Sequence, residues 1–238
     1  MNKKLYIYAD GIPPDIDYIN KIIDEYNIVG FTCNPTLIKN YLPITYYDYC
    51  KIILDNSRNF PVSIQVLSSN LDEMIKEAEI ISSWGNNVYV KIPIINEYEE
   101  SCIPVIKKLL EKKLKVNITA IFKYEQIVPL YYANEIPERS DYILSFFSGR
   151  VSDMGIPPNH LLESIYTAMK TLKGNYRGKI LWAGARQVTD IDNAKKYCDI
   201  ITIPKSVIDK LDCKKKTLSE YCAETVQMFA RDSKNFTL

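Results

Sequence analysis

Eight short apolar runs punctuate this chain at regular intervals, and helical patterns fill the gaps between them. The runs are Leu5–Ala9, Val29–Cys33, Val62–Val66, Val88–Ile94, Lys115–Ile121, Tyr142–Phe147, Lys179–Ala183 and Ile200–Pro204. Between them, Asn70 and Glu73 read as a capping box ahead of Leu71, Met74, Ile75, Ala78 and Ile81, which fall on one helix face. Leu161, Leu162, Ile165, Ala168 and Leu172 share a face after the sixth run. Thr217 with Glu220 opens a last helix bearing Leu218, Tyr221, Cys222, Thr225 and Phe229 on one side. Strands alternating with helices pair in parallel through βαβ units. Eight such units in 238 residues predict a single (β/α)₈ barrel over 1–238, with parallel strands and a C-terminal helix. A doubly wound open sheet is the competing architecture, but the chain has no G-x-G-x-x-G or phosphate-cradling loop. No linker, low-complexity segment or simple repeat divides it, and the tail after Phe229 is polar.

One residue does not belong in its run. Lys91 sits in Val88-Tyr89-Val90-Lys91-Ile92-Pro93-Ile94, which otherwise reads as a buried strand. A lysine in an apolar core either reaches water along its own stem or gives up its proton. The deprotonated amine is a nucleophile toward carbonyls.

Composition narrows the partners. Thirty basic residues face 29 acidic ones, and that balance argues against a nucleic-acid or membrane-surface partner. Lys112-Lys113 and Lys214-Lys215-Lys216 read as solvated helix ends. The six cysteines, at 33, 50, 102, 198, 213 and 222, form no C-x-x-C, so neither a zinc site nor a disulfide framework is expected. Lys3-Lys4 precede only a short apolar stretch before Asp10, too short for a signal peptide or a membrane span, and a soluble cytoplasmic chain is expected. His160 is the single histidine, which disfavours histidine metal sites and a Ser-His-Asp system. It reads as a first-turn residue of a helix capped by Asn159.

Barrel enzymes carry their sites at the C-terminal ends of the strands. Those ends give Asp10, Thr32 with Asn34, Gln65, Lys91, Asn117 with Thr119, Ser145 followed by Arg150, and Ala183-Gly184-Ala185-Arg186. Each alone could be a turn or capping residue; together they would converge on one rim around Lys91. A lysine with a carboxylate suits Schiff-base chemistry on a ketone, the carboxylate moving protons. The amides and hydroxyls could hold sugar hydroxyls and a water, and the two arginines a phosphate.

These segments resemble the transaldolase and fructose-6-phosphate aldolase family. Tyr8-Ala9-Asp10 is similar to its first-strand Asp motif, and Gly30-Phe31-Thr32-Cys33-Asn34-Pro35-Thr36 to its G-x-T-x-N-P-S/T signature. Val90-Lys91-Ile92-Pro93 resembles the K-[IV]-P motif around the Schiff-base lysine, and Asn117-Ile118-Thr119-Ala120-Ile121-Phe122 the N-x-T-x-x-[FY] strand. Ser145-Phe146-Phe147-Ser148-Gly149-Arg150 is similar to S-P-F-V-G-R, and Ala183-Gly184-Ala185-Arg186 to A-S-x-R/K. The motifs are individually short, but they stand in order along essentially the whole chain.

The resemblance implies a class I aldolase barrel that needs no cofactor. Lys91 would attack the ketone of a ketose phosphate, and Asp10 would transfer protons. Gln65 and Thr119 would position the catalytic water. Asn34, Asn117 and Ser145 would hold hydroxyls or the intermediate, and Arg150 and Arg186 the phosphate. Thr32 and Phe147 belong to the same lining. Gln65 stands where transaldolases carry Glu and the aldolases Gln; Phe147 stands where the aldolases carry Tyr. Gly184 replaces a serine, and Lys123 follows Phe122 where a small or polar residue is common. The resemblance thus supports transfer of a dihydroxyacetone unit to an aldehyde, as in the pentose phosphate pathway. Direct aldol cleavage and formation, or a sugar-phosphate-binding barrel without turnover, are the alternatives. Short members of the family form pentamers and decamers, so a homo-oligomer is implied as well.

Overall fold

The computed structural model describes residues 4–132, 136–137, 140–171 and 178–236. The strands are β1 (Tyr6–Asp10), β2 (Ile28–Thr32), β3 (Val62–Gln65), β4 (Val88–Pro93), β5 (Val116–Ile121), β6 (Tyr142–Phe146), β7 (Lys179–Trp182) and β8 (Ile200–Pro204). They close in sequence order, every pair parallel, with β1 against β8. This is the (β/α)₈ barrel expected from the alternation, with strand ends displaced by at most one residue from the apolar runs.

The helices are α1 (Ile16–Tyr26), α2 (Pro35–Ile38), α3 (Tyr46–Asn56), α4 (Leu71–Ser82), α5 (Ile103–Glu111), α6 (Val128–Tyr132), α7 (Ser148–Asp153), α8 (Pro158–Thr171), α9 (Asp190–Ala194), α10 (Lys205–Ile208) and α11 (Leu218–Asp232). Among the described residues no helix is long and apolar enough to cross a membrane. Asn70 caps α4, accepting from the Asp72 and Glu73 amides, but the box does not close: the Glu73 carboxylate accepts from the Ser68 hydroxyl instead. The box at Thr217 and Glu220 closes fully. Asn159 does not cap α8. The helix begins one residue earlier at Pro158, whose fixed φ suits the first helical position, so Asn159 lies inside the first turn. Leu162 and Ile165 bury the inner face of α8; Leu172 lies outside the described residues. The Lys214–Lys216 run is paired rather than merely solvated, with partners Asp192, Asp212 and Glu224.

The apolar residues separate into two bodies. The larger lies between sheet and helices and is mostly Ile, Leu and Val. The smaller fills the lower barrel with Tyr8, Tyr89, Ile143, Leu181, Ala183 and Ile200. Gly30 makes room for it: a Cβ there would stand 2.5 Å from the Tyr8 ring. Side chains alternate across a strand, so the residues one step further along these strands' inward faces form the upper layer. On β1, β4, β6 and β8 that layer is polar (Asp10, Lys91, Ser145 and Thr202), while on β7 it is Ala183.

Candidate active site

Ten of the eleven residues singled out above line one cavity of about 460 Å³ at the C-terminal mouth of the barrel. Lys91 is 5% exposed and opens into it from β4, with Asp10 on β1 lining the same space. The eleventh, Asn117, lies beneath the lining and is fully buried. Its carbonyl accepts from the Ser145 hydroxyl at 2.7 Å, and its amide donates to the Ser63 hydroxyl at 3.0 Å. Asn117 thus holds Ser145, which does line the cavity.

A second chain of hydrogen bonds supports Asp10. The Thr32 hydroxyl donates to Asp10 Oδ1 at 2.7 Å and lies 2.6 Å from the Thr202 hydroxyl. With Asp10 ionised, Thr32 spends its proton on the carboxylate, so Thr202 is the donor to Thr32. Burial pushes the Asp10 carboxyl above the ordinary range, against the opposing pull of the Lys91 charge and the Thr32 hydroxyl. A carboxyl held in that way gives up its proton less readily than an exposed one, which suits it to proton exchange.

The remaining polar groups differ in how free they are. Asn34 caps α2, its side-chain oxygen accepting from the Leu37 amide at 3.1 Å, which leaves its NH₂ for a ligand. The Thr119 hydroxyl is buried without a partner among the described residues, an uncommon state that a bound water or hydroxyl would relieve. Thr119 reaches the lumen just before a bulge, where β5 slips register against β6 and Ala120 adopts φ +59°. The slip returns Ile121 to the outer core.

Arg150 and Arg186 stand on the same side of the mouth. Arg186 is tethered by a 2.9 Å bond to Asp153, which does not line the cavity. Two loops bring these arginines together by near contact of their backbones. A Cβ on Gly149 would lie 1.7 Å from the Gly184 carbonyl oxygen, so this approach requires glycine. Phe147 forms an apolar wall, its ring 5.7 Å from that of Phe122.

Sequence reasoning missed Thr202, Ser63 and Asp153. Thr202 was accessible to it, because alternation along Ile200–Pro204 places residue 202 on the same face as Ile200. The pairing of Asp153 with Arg186 leaves no local signal.

The arrangement can hold a small keto compound against a buried amine, with a carboxylate and two guanidinium groups within one cavity. Residues 7–237 match the family described as Transaldolase/Fructose-6-phosphate aldolase. A protein of Sulfurihydrogenibium sp. named probable transaldolase is 32% identical over 200 residues, 83% of this chain and 85% of its own. A protein of Thermoplasma volcanium with the same name is 31% identical over 207 residues, 83% of this chain and 84% of its own. Among solved structures, D-threonine aldolase from Filomicrobium marinum superposes with a TM-score of 0.53 at 8% identity, covering 87% of this chain and 56% of that one. At that identity the likeness is one of fold alone. The matched span, together with the relatives, establishes that the chain belongs to the transaldolase/fructose-6-phosphate aldolase family.

Proposed function

We propose that the protein is a Schiff-base transaldolase acting on ketose phosphates. The Lys91 amine lone pair adds to the ketone carbon, and the adduct takes up a proton from solvent and loses water to give a protonated imine. Asp10 takes the proton from the hydroxyl on the carbon that will leave. The adjacent carbon–carbon bond then breaks, its electrons pass into the imine as an enamine, and an aldehyde departs. The enamine adds to an acceptor aldehyde, Asp10 returns the proton, and water releases the ketose from Lys91.

The observation that carries this reading is the burial of Lys91 in a cavity it shares with Asp10 and two arginines. The arginines suit a phosphate, since guanidinium groups bind such oxyanions strongly. The orphaned Thr119 hydroxyl and the Gln65 side chain suit the water of imine formation and release. The Phe147 wall offers no hydroxyl to protonate the enamine at carbon, which favours transfer over direct aldol cleavage. The setting is the pentose phosphate pathway in the cytoplasm.

The homo-oligomer implied by the resemblance, a pentamer or decamer, remains part of this proposal. It is supported by α11, which has no buried residue and leaves Leu218 91% and Phe229 61% exposed. Light scattering gives the mass of the assembly, and a monomer at micromolar concentration would contradict it.

Borohydride with fructose 6-phosphate tests the chemistry. A mass increase mapped to Lys91 is expected, and its absence would leave a binding barrel without turnover. Product that requires an aldehyde acceptor marks transfer; product without one marks the aldolase.

A further inference from the structure

The last rung of the β2–β3 ladder has an acceptor and no backbone donor. Up to that point the ladder is regular: the Phe31 amide donates to the Pro61 carbonyl at 2.8 Å, and the Cys33 amide to the Ser63 carbonyl at 3.0 Å. The next donor in that series would be residue 35, and it would meet the carbonyl of Gln65. Residue 35 is proline and has no N–H. The Gln65 carbonyl instead accepts from the Tyr46 hydroxyl at 2.6 Å.

Tyr46 is suited to this. It is the first residue of α3, fixed by the Thr45 cap, and its ring packs against the core. Burial pushes its phenol upward, so it remains a donor throughout the working pH range. The segment that follows Gln65 is pinned by other partners. The Val66 amide donates to the Lys91 carbonyl, and the Leu67 and Ser68 amides both donate to the Glu77 carboxylate. Among the described residues Tyr46 therefore supplies the one side-chain hold on Gln65 itself, whose backbone is in register with Lys91.

We propose that Tyr46 is a positioning residue: its hydroxyl stands in for the missing ladder donor and sets where the Gln65 side chain meets water beside Lys91. The inference rests on the proposed function, in which Gln65 orients the water of imine formation and release.

The test compares wild type, Tyr46→Phe, Gln65→Ala and the double variant, each checked by thermal melting. Tyr46→Phe is expected to lower kcat about tenfold, because small misplacements of an orienting group are costly. KM should stay within about twofold, since the phosphate and hydroxyl contacts are untouched. In the Gln65→Ala background the same change should alter kcat by less than about twofold, because the two residues act through one water. Glu77→Ala loosens the same segment but leaves the Gln65 carbonyl bonded; it should lower the melting midpoint and spare kcat.

Unchanged kcat in Tyr46→Phe, equal losses in both backgrounds, or a tenfold loss in Glu77→Ala overturns the inference. A Tyr46→Phe protein that no longer melts cooperatively assigns the hydroxyl to the fold and overturns it too. The borohydride adduct of the wild type separates the two levels. With the adduct present, these outcomes remove Tyr46 alone; without it, the proposed function falls and this inference falls with it.

Discussion

The inside of the barrel and the layer around it are built from different chemistry. Around the sheet, Ile19, Ile53, Ile106, Leu109 and their neighbours are fully buried and aliphatic, and they meet helices chosen by simple apolar periodicity. Inside, an apolar floor of few residues supports a polar storey in which hydroxyls and amides bond to one another rather than to backbone. The outer layer could be repacked with other aliphatic residues of similar volume at little cost. The inner storey could not, because Asp10, Thr32, Thr202, Asn117, Ser63 and Ser145 there are bonded to one another. Aliphatic packing is thus concentrated outside the sheet, and buried hydrogen bonding between side chains inside it.

Four substitutions probe that division, from the largest effect down. Lys91→Met should abolish the borohydride adduct and reduce turnover by about 10⁴-fold or more, as loss of a covalent nucleophile does. The same change should not lower the melting midpoint, because an apolar side chain of similar shape replaces a buried amine. A destabilised Lys91→Met protein would mean that the lumen also carries the fold.

Asp10→Asn should reduce kcat by about 10³-fold, within the range for a lost acid–base group. Its pH behaviour sharpens the contrast. The folded carboxyl has its pKa raised by burial, so between the ordinary carboxylate range and the raised value the native state holds a proton that the unfolded chain has released. Asp10's contribution to stability therefore declines as pH rises from the ordinary carboxylate range through the raised value. Denaturant titrations across that window should show the decline in the wild type and not in Asp10→Asn.

In the outer layer, Ile106→Ala should cost about 3 kcal/mol of stability, the range for a fully buried aliphatic truncation. Activity per folded molecule should be unchanged. A fall in kcat would show that the two layers are coupled. The smallest effect is at the bulge: Ala120→Gly should stabilise by about 1 kcal/mol, since φ +59° disfavours a residue with a Cβ. Greater freedom beside Thr119 should raise KM modestly, a change steady-state kinetics would resolve.

The outer layer was also the more legible in the sequence. Period-2 and period-3.6 patterns encode which face of an element is covered, and they found the strands to within a residue. Where the reading of a helix cap failed, a competing local group decided. Pro158 started α8 ahead of Asn159, and Ser68 took the Glu73 carboxylate from its box. Within the site, the polar strand ends were legible because they interrupt apolar runs. Their partnerships were not. Asp153 meets Arg186 across 33 residues, and Tyr46 on α3 reaches Gln65 across 19. The bulge at Ala120 was invisible because alanine gives no sign of a left-handed turn. The last helix was recognised as a helix, but a pattern of apolar residues does not reveal that α11 leaves them uncovered.

The hydroxyl contact between Thr32 and Thr202 joins residues 170 positions apart and bridges the second strand to the eighth. Asp10 lies on the strand between them, since β1 pairs with both β2 and β8. During synthesis the carboxylate, its threonine and the nucleophile all emerge long before the chain can seal the ring. A nascent chain halted ahead of β8 would own every reactive group and lack the support that tunes the first of them. The Thr202 hydroxyl therefore reaches Thr32, and through it Asp10, only once the ring has shut.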